Sequence, residues 1–550
     1  MIRLFFLLLI GLGLGGSVSA QAVLASQKMK DFEADESDLF PYESLGPNGI
    51  YPFLTFDPAL KLSDGSFFMI WKPNKISSRL FRVSRYDLLL NNDWEVEFEL
   101  DRNEDVLAVF EHPKTQEVLV LSLQQEFFQR RFIFRSRRVD MSDGKVSAPA
   151  ILEIIENRQV EDVFLQWAPD RQSFALYQLQ NLSSLRPVSL EYDYVDQNQE
   201  LGYRAYRCES IHFTVYQTDL SVVREGMMPV PDRKHVLLGC LLDNDENFYA
   251  YLHQRKTSFK VVQSHHETDE VRTLELLDEA PELMDLGDGE HAQLPLSVGN
   301  EERIYWALAD LKRRGFDRGI RSYQVVCFDF KNELVDQSRE VPVNSTLLVA
   351  VEKQRAAYRL RPIRRFDNYQ IREVIEMPDK SVWLMVQQYI SSDLPGTPGP
   401  DYPYPRPMEE RVEEIVMFQF DSLGEIQKAL VVPSTQYLRG YVARLGGFFQ
   451  YRLDTVEQVL HMLIREADGE KFRDPDRMFY RRIDLESGQI GRRQKVHEGE
   501  RRNQFWVQAY STWMTPGILT FLMLETNDGP AHLVTVDLQA EPEPLGSLSE

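Results

Sequence analysis

The sequence predicts an all-β protein built from one repeated four-stranded unit, and three observations support this prediction. Short runs that alternate apolar and polar residues recur along almost the whole chain of 550 residues. Gly, Pro, Asn and Asp separate these runs, as they do in strands joined by hairpin turns. A strand-like run that ends at or near an Asp returns eight times, at a mean spacing of about 64 residues. Segments with a helical period are missing, apart from short pieces within 345–360.

Each unit is recognised by its aspartate. The eight are Asp87, Asp140, Asp219, Asp269, Asp329, Asp421, Asp484 and Asp537. The run before each, such as FFMIW at 67–71 or ILTFLML at 518–524, supplies a second strand. An earlier run such as IYPFLTFDP or DVLAVFEHP supplies a third, and a later one such as WEVEFEL a fourth. Because the strand-end Asp recurs from unit to unit, we expect its carboxylate to accept N–H groups of the following turn, a structural role that applies to all of these residues except Asp269.

Such units favour a closed ring. A four-stranded sheet cannot bury both of its faces alone, but sheets packed radially against identical neighbours can. The sequence therefore predicts that residues 47–550 form a single β-propeller of eight four-stranded blades. Seven blades are the alternative, with the weak unit around Asp269 as an insertion. The resemblance is to β-propellers as an architecture, because no family signature recurs among the units.

The N-terminus predicts export. Arg3 precedes an apolar run from Leu4 to Leu14, and Val18-Ser19-Ala20 has the small residues of a signal-peptidase site. We expect residues 1–20 to be removed near Ala20 and the mature chain to be periplasmic or extracellular. Residues 21–46 are predicted to be a flexible leader, or a segment that closes the ring by pairing with the last blade. No later segment is apolar enough to span a bilayer.

The composition limits the classes of partner that the protein is expected to bind and the number of disulfides that it can form. Lys and Arg number 62 against 85 Asp and Glu, a net charge of −23. A surface this acidic repels a phosphate backbone, which argues against nucleic acid. Three cysteines, Cys208, Cys240 and Cys327, are too few for a disulfide scaffold. Cys240 and Cys327 lie in apolar runs and are predicted to be buried, inert thiols, although one bridge remains an alternative.

Loop length distinguishes the two faces of the predicted ring. With the strands of a blade lettered A to D from axis to rim, the A–B and C–D turns open on one face and are short. We call this the short-turn face. The B–C turns and blade connections open on the opposite, long-loop face, and they include 181–210, 311–321, 344–369, 390–411 and 466–477. Long insertions on one side of a rigid scaffold are typical of binding surfaces.

The long loops are basic and aromatic although the chain is acidic. Arginine presents a planar fork to carboxylate, sulfate or phosphate, and aromatic faces stack on sugars and peptide side chains. The predicted ligand-binding residues are Arg313, Arg314, Arg318, Arg321, Tyr358, Arg361, Arg364, Arg365, Tyr402, Tyr404, Arg406 and Phe472. They predict an anionic peptide, glycan or protein partner. The alternative is that these arginines pair with nearby acids and cover apolar surface.

Motifs for catalysis are not found. The chain has no G-x-S-x-G, H-E-x-x-H or C-x-x-C sequence. His265 and His266 have no third metal ligand placed by spacing and are interpreted as a solvated pair. No catalytic residue, metal or cofactor is assigned. A binding or scaffold protein is the favoured hypothesis; the alternative is a propeller enzyme acting on glycans or esters, of lyase, glycosidase or lactonase type. Converging acids and histidines with perturbed pKa values in the central tunnel would favour the enzyme.

Overall fold

The chain is an eight-bladed β-propeller. The structure is a computed structural model that describes residues 23–29, 58–71, 79–126, 128–156, 163–180, 208–231, 235–254, 258–277, 296–314, 317–358, 369–391, 409–434, 436–439, 449–467, 476–498, 504–515, 517–525 and 531–538. The strands in these ranges form eight antiparallel sheets, seven with four strands in sequential order, one of which has a fifth strand, and one in which three C-terminal strands are joined by the N-terminal strand. This confirms the predicted fold class and the predicted number of blades.

The strands are numbered in chain order. The N-terminal strand is β1 (Val23–Met29). Blade 1 contains β2 (Ala59–Lys61), β3 (Phe67–Trp71), β4 (Leu80–Tyr86) and β5 (Asn92–Glu99). Blade 2 contains β6 (Glu104–Glu111), β7 (Glu117–Glu126), β8 (Arg131–Asp140) and β9 (Ala150–Glu156). Blade 3 contains β10 (Val163–Trp167), β11 (Ser173–Gln180), β12 (Ser210–Gln217) and β13 (Val222–Pro229). Blade 4 contains β14 (His235–Leu242), β15 (Phe248–Gln254), β16 (Ser258–Ser264) and β17 (Val271–Leu277).

The second half follows the same plan. Blade 5 contains β18 (Leu296–Val298), β19 (Arg303–Arg314), β20 (Asp317–Asp329) and β21 (Leu334–Pro342). Helix α1 (Ser345–Ala357) connects it to blade 6. Blade 6 contains β22 (Tyr369–Glu376), β23 (Val382–Ser391), β24 (Glu409–Phe420), β25 (Ile426–Val432) and β26 (Gln436–Arg439), which also pairs with β24. Blade 7 contains β27 (Phe449–Asp454), β28 (Val459–Ala467), β29 (Asp476–Asp484) and β30 (Gln494–Glu498). Blade 8 contains β31 (Gln504–Thr515), β32 (Ile518–Glu525) and β33 (Ala531–Asp537), completed by β1.

The N-terminal strand closes the ring. β1 pairs antiparallel with β33, with Val23 opposite Val536 and Met29 opposite Ala531. The innermost strands of the first and last blades, β2 and β31, contact each other. The fourth strand of blade 8 therefore comes from the start of the chain. This pairing covers an edge of β33 that would otherwise present unpaired N–H and C=O groups to other chains.

The core lies in the seams between blades. All five residues of β3 are buried, which explains why the second strand of a unit looks like a continuous apolar run. Trp306 of blade 5 stacks on Phe259 of blade 4, with 3.9 Å between ring centroids. Each apolar side chain buried in this way contributes about 1.5–3 kcal/mol relative to exposure. Because both faces of every sheet are used, no blade is stable without its neighbours.

The strand-end aspartates are turn residues. The carboxylate of Asp87 accepts the N–H groups of Leu89 and Asn91, both at 2.8 Å. In blade 6 the backbone N–H of Glu425 donates to Asp421 at 2.9 Å and lowers the pKa of that carboxyl. The same role is filled by Asp140, Asp219, Asp329 and Asp484. For these six residues the predicted structural role is confirmed.

Blade 4 corrects two details of the prediction. It is a complete four-stranded sheet, so the seven-blade alternative is wrong. Its third strand ends at Ser264, and Asp269 lies five residues further on in the turn, with its side chain 85% exposed and 3.8 Å from Arg224. Asp269 therefore does not occupy the strand-end position of the other blades. The innermost strand of blade 1 also differs, because it covers Ala59–Lys61 and the predicted run at 50–57 lies outside the described residues.

The innermost strands alternate around the ring. In blades 2, 4, 6 and 8 they contain 8, 8, 8 and 12 residues, and in blades 1, 3, 5 and 7 only 3, 5, 3 and 6. Each long strand carries a register shift against its partner, and the short ones carry none. Bulges bend a strand and redirect side chains, so alternate blades shape the tunnel wall differently.

The three cysteines are buried and free. Cys208 and Cys240 belong to one apolar cluster between blades 3 and 4. Burial raises the pKa of Cys208, and likewise that of Cys327, to about 12. Because the thiolate is the reactive form, these thiols are inert at neutral pH, as the sequence predicts for Cys240 and Cys327.

Candidate functional site

The short-turn face is acidic. Its fourteen fully described A–B and C–D turns contain nineteen Asp and Glu residues against seven Lys and Arg. Many of these carboxylates have structural partners, because they accept N–H groups of their own turns or pair with cations of the next blade. Between blades 5 and 6, Arg303 donates to Glu376 at 2.6 Å, and the Tyr305 hydroxyl donates to the same carboxylate oxygen at 2.7 Å. The acids of this face therefore hold neighbouring blades together.

The histidine pair belongs to this face and differs from its prediction. Only 13% of the His265 side chain is exposed, and its Nε2 lies 3.8 Å from Glu302 of blade 5. The Nε2 of His266 lies 3.4 Å from a different carboxylate, that of Glu246. The interpretation as a solvated pair is therefore wrong, because each imidazole is partly buried against its own acid. In the part of the chain that the structure describes, no three His, Cys, Asp or Glu residues are grouped to hold a metal ion.

On the long-loop face, the predicted loop at 311–321 is a two-stranded ribbon. β19 and β20 stay paired as far as Arg314 opposite Asp317. The outer strand β21 stops pairing at Ser322, and the inner strand β18 pairs no further than Trp306. The four residue pairs beyond Ser322 extend the ribbon by about 13 Å past the four-stranded blade. The prediction of a loop is wrong because β19 and β20 continue their hairpin pairing through polar residues.

The tip of this ribbon places like charges at facing positions. Arg313 lies opposite Arg318 in the register, and Lys312 opposite Gly319. Like charges directly opposite each other destabilise an antiparallel pair, and a free two-stranded ribbon is only marginally stable. An anion between the two positions would remove that cost. The ribbon tip is therefore a candidate anion-binding element.

Helix α1 is fixed to the ring by its last turns. The side chain of Asn344 caps its start by accepting the N–H of Leu347 at 2.9 Å. Near the other end, the side-chain amide of Gln354 donates to the carbonyl of Ala429 at 2.8 Å and accepts the N–H of Val431 at 3.0 Å. Gln354 thus forms hydrogen bonds with backbone groups at the outer edge of β25, as a neighbouring strand would.

A buried ion pair completes this anchor. Arg355 of α1 is fully buried and pairs with Glu414 of β24, which is also fully buried. The hydroxyl of Tyr369, the first residue of β22, donates to the same oxygen of Glu414. A charge pair of this kind is stable only with both members present, so it fixes where the helix ends. The helix end in turn determines where the basic segment after it begins.

The twelve predicted binding residues fall into three groups. Arg313, Arg314 and Arg318 lie in the ribbon strands. Arg321 is exposed at the ribbon base, where its carbonyl accepts the N–H of Val343 just before α1, and Tyr358 is the C-terminal cap of α1, 39% exposed. The structure thus brings the ribbon base next to the start of α1, with Tyr358 at its far end. The others, Arg361, Arg364, Arg365, Tyr402, Tyr404, Arg406 and Phe472, lie outside the described residues.

One residue of this face was missed by the sequence analysis. Phe128 lies in the B–C turn of blade 2 and is fully exposed, with a relative accessibility of 105%. Arg130 follows it with a positive φ of 50°, and Arg131 pairs with Glu126 at 2.5 Å. An aromatic ring held in water beside arginines has the same chemistry as the predicted loops. The sequence shows two Phe followed closely by two Arg at this turn. The turn is short, whereas the predicted binding residues were all taken from long loops.

Carboxylates on the innermost strands are mostly neutralised by partners. Glu104 is fully buried and pairs with Arg137 at 2.5 Å, and Glu376 pairs with Arg303. Glu373 differs, because burial raises its pKa although Tyr451 of blade 7 donates a hydrogen bond to it. Glu373 and Tyr451 lie on neighbouring innermost strands, β22 and β27. A carboxyl with a raised pKa on an innermost strand is the one feature among the described innermost strands that fits the enzyme hypothesis.

Helices in the described residues are too short or too polar to cross a membrane. No protein-family model and no curated protein matches the chain. Solved structures resemble it at low identity. One is the WD40 domain of SCAP from fission yeast, with 6% identity over 88% of this chain and 96% of that chain and a TM-score of 0.36. Another is an oligogalacturonate lyase from Vibrio parahaemolyticus, with 9% identity over 79% of this chain and 96% of that chain and a TM-score of 0.32. A third is a prolyl endopeptidase, with 11% identity over 84% of this chain and a TM-score of 0.35. The match covers 53% of that protein, so this chain spans about half of its length. The propeller assignment rests on the chain's own sheets.

Proposed function

We propose that this protein is an exported propeller that acts as a binding or scaffold protein through its long-loop face. The observation that carries the proposal is the ribbon tip, where Arg313 and Arg318 occupy facing positions beyond the blade. A free protein gains nothing from this arrangement, and an anionic partner relieves its repulsion. The partner is an acidic peptide, an anionic glycan or an acidic protein surface. The net charge of −23 argues against nucleic acid.

The charge distribution supports the choice of face. The short turns are acidic, whereas the ribbon tip holds Lys312, Arg313, Arg314 and Arg318 against a single acid, Asp317. A ligand of negative charge is repelled from one face and attracted to the other, which orients its approach. The basic segment after α1, with Arg361, Arg364 and Arg365, and the Pro-rich stretch with Tyr402, Tyr404 and Arg406 extend the proposed surface, as does Phe472 from a third loop.

Export is the second component of the proposal. The N-terminal apolar run and the small residues up to Ala20 support removal of residues 1–20 and a periplasmic or extracellular mature chain. The mass and N-terminal sequence of the protein recovered from the periplasm or medium test it. A first residue near Gln21 supports export, and an intact Met1 in the cytoplasm would contradict it.

Binding is tested on the mature chain. Arrays of sulfated and uronate glycans and of acidic peptides are probed with the wild type and with an Arg313→Gln/Arg318→Gln variant. We expect ligands that bind the wild type to lose at least tenfold in affinity, because two charge-assisted contacts disappear. Arg171→Gln/Arg492→Gln changes the net charge equally on the short-turn face and should bind as the wild type does. Equal losses in both variants, or no anionic ligand at all, would overturn the proposal.

Glu373 supports a second candidate function, a propeller enzyme acting on glycans or esters. A carboxyl whose pKa is raised by burial holds its proton to a higher pH than an exposed one, which suits a general acid. A Glu373→Gln variant separates the two candidates, because it keeps the hydrogen bond from Tyr451 and removes the transferable proton. Turnover of an array ligand that is lost in Glu373→Gln but kept in Arg313→Gln/Arg318→Gln would favour the enzyme.

A further inference from the structure

The seam between blades 7 and 8 contains a large irregularity of the innermost strand. β31 pairs with β32 at Val507 opposite Leu522 and again at Thr512 opposite Thr520. Four residues of β31 thus face a single residue, Phe521, of β32. Bulges of this kind terminate regular pairing and are common beside binding sites, because they redirect side chains and open space. The strand across the seam is β27 of blade 7, and Gln450 of that strand donates to the carbonyl of Ser511 at 3.4 Å.

Three polar atoms at this seam are buried without a hydrogen-bond partner among the residues that the structure describes. They are the Nε2 of His461, the Nε1 of Trp513 and the Oε1 of Gln450. His461 is only 7% exposed, and its ring lies 6.1 Å from that of Trp513. A buried polar atom without a partner costs roughly 1–3 kcal/mol, so three at one place require an explanation. They come from facing strands of two blades, and a single bound group would satisfy several at once.

The imidazole presents an N–H to this space. Its Nδ1 lies 2.6 Å from the hydroxyl of Tyr480, and burial raises the pKa of Tyr480 to about 12, so the hydroxyl keeps its proton. We assign Tyr480 as the donor to Nδ1, because a proton on Nδ1 would leave both the hydroxyl proton and Nε2 without a partner among the described residues. Burial lowers the pKa of His461, with smaller effects from Arg482 and Arg452, which keeps the ring neutral at pH 7. The proton of a neutral ring then lies on Nε2, away from Tyr480.

Arg452, which has no ion-pair partner among the described residues, lies beside His461 in the sheet of blade 7. Arg452 of β27 is directly opposite His461 in the register, and Arg482 of β29 is opposite His461 on its other side. Arg482 pairs with Glu457 at 3.2 Å. Arg452 has no carboxylate within ion-pair distance among the described residues. Within the described part of the chain, the seam therefore combines a guanidinium that has no ion-pair partner with two N–H donors, of His461 and Trp513, that have no acceptor.

We propose that this seam binds a small carboxylate. One carboxylate oxygen accepts from His461 Nε2 and Trp513 Nε1, and the guanidinium of Arg452 supplies the charge. Gln450 Oε1 accepts a hydroxyl or amide donor carried by the same ligand beside its carboxylate. A carboxylate satisfies all three cationic or N–H groups, whereas water supplies no charge to Arg452. The site lies in the seam between blades 7 and 8 and is independent of the proposed function of the long-loop face.

The test uses the indole N–H signal of Trp513 in the mature protein labelled with nitrogen-15. The chain has seven Trp residues, and Trp513→Phe identifies the signal. Acetate is titrated at constant ionic strength. We expect a saturable shift of that one signal in the millimolar range, and no shift with acetamide, which has the same shape without the charge. Arg452→Met should weaken acetate binding at least tenfold, and Arg452→Lys only several-fold.

Arg482→Met is the matched control, because it removes an arginine from the same row that already has a partner. It should leave acetate binding unchanged. The unaffected indole signals report whether each variant is folded, and Arg452→Lys tests the site if Arg452→Met is not. A Trp513 signal that does not move up to 200 mM acetate, moves equally with acetamide, or moves equally in Arg452→Met and wild type overturns the proposal.

Discussion

Removal of Arg355 should detach helix α1 from the ring. In Arg355→Met the fully buried carboxylate of Glu414 loses its cation and keeps only the hydrogen bond from Tyr369. One oxygen of Glu414, Oε2, already has no hydrogen-bond partner among the described residues, so little remains to offset the loss. Removing one partner of a buried pair costs about 3–5 kcal/mol. Because the helix can open without unfolding the blades, this cost appears as local opening.

Hydrogen exchange of 345–357 measures that opening. A loss of about 3–5 kcal/mol corresponds to exchange that is about a hundredfold to several thousandfold faster. Peptides of the core strands β23 and β24 should exchange as in the wild type. The double variant Arg355→Met/Glu414→Leu removes both charges and should recover most of the protection. Exchange less than fivefold faster in Arg355→Met, or a double variant worse than the single one, would refute the reasoning that the pair anchors α1.

Three further predictions concern the ring itself. Deletion of Val23–Met29 leaves β33 as an open edge, and we expect the variant to form oligomers that light scattering detects. A synthetic VLASQKM peptide should restore the monomer. A variant that is monomeric without the peptide would contradict the role of β1 in closing the ring. Gly144→Ala should destabilise the chain by about 1–3 kcal/mol in urea, because its φ is 74° and the new Cβ would lie 2.5 Å from Trp94. Gly65→Ala, with a φ of 83° and open space, is the control and should cost less. Acid should weaken the fold, because backbone N–H groups lower the pKa of Asp421 and Asp484 below the unfolded value of about 3.9. That stability is present above about pH 4 and is lost as the pH falls through the folded values. Urea unfolding between pH 2 and 7 should therefore show stability that falls below about pH 4, and unchanged or higher stability there would contradict this prediction.

The fold was predictable because its signal is local and repeated. The apolar second strands recur in every blade and a third strand with an Asp at its end in seven of them, so the weak unit around Asp269 is supported by the others. The ribbon of β19 and β20 was not predictable as strand, because its outer part is polar and has no buried face to impose a period of two. Helix α1 was predicted only as short helical pieces within 345–360, because its apolar contacts are confined to Leu347, Leu348 and Val351 and its anchor, the buried Arg355, is a charged residue.

The candidate sites could be predicted from the sequence only in part. The basic segments around Arg313 and after Tyr358 are visible in the sequence because they contrast with an acidic chain. The carboxyl of Glu373 and the seam of His461 with Trp513 are not, because each combines single residues of two different blades. Their unusual properties, a raised pKa and unpartnered buried donors, arise only from burial in the assembled ring. Phe128 falls between these cases, since its residue type is visible but its full exposure is not.

The ribbon tip gives the most direct test of the binding surface. An Arg318→Glu variant places opposite charges at the facing positions of Arg313 and residue 318, so the free ribbon should become more stable. The same change should lower the affinity for an anionic ligand recovered on the arrays by at least tenfold, whereas Arg171→Glu on the short-turn face should leave the affinity unchanged. A slower exchange of 310–322 together with this loss of affinity is the expected result. Wild-type affinity in Arg318→Glu would contradict an anion-binding role of the long-loop face.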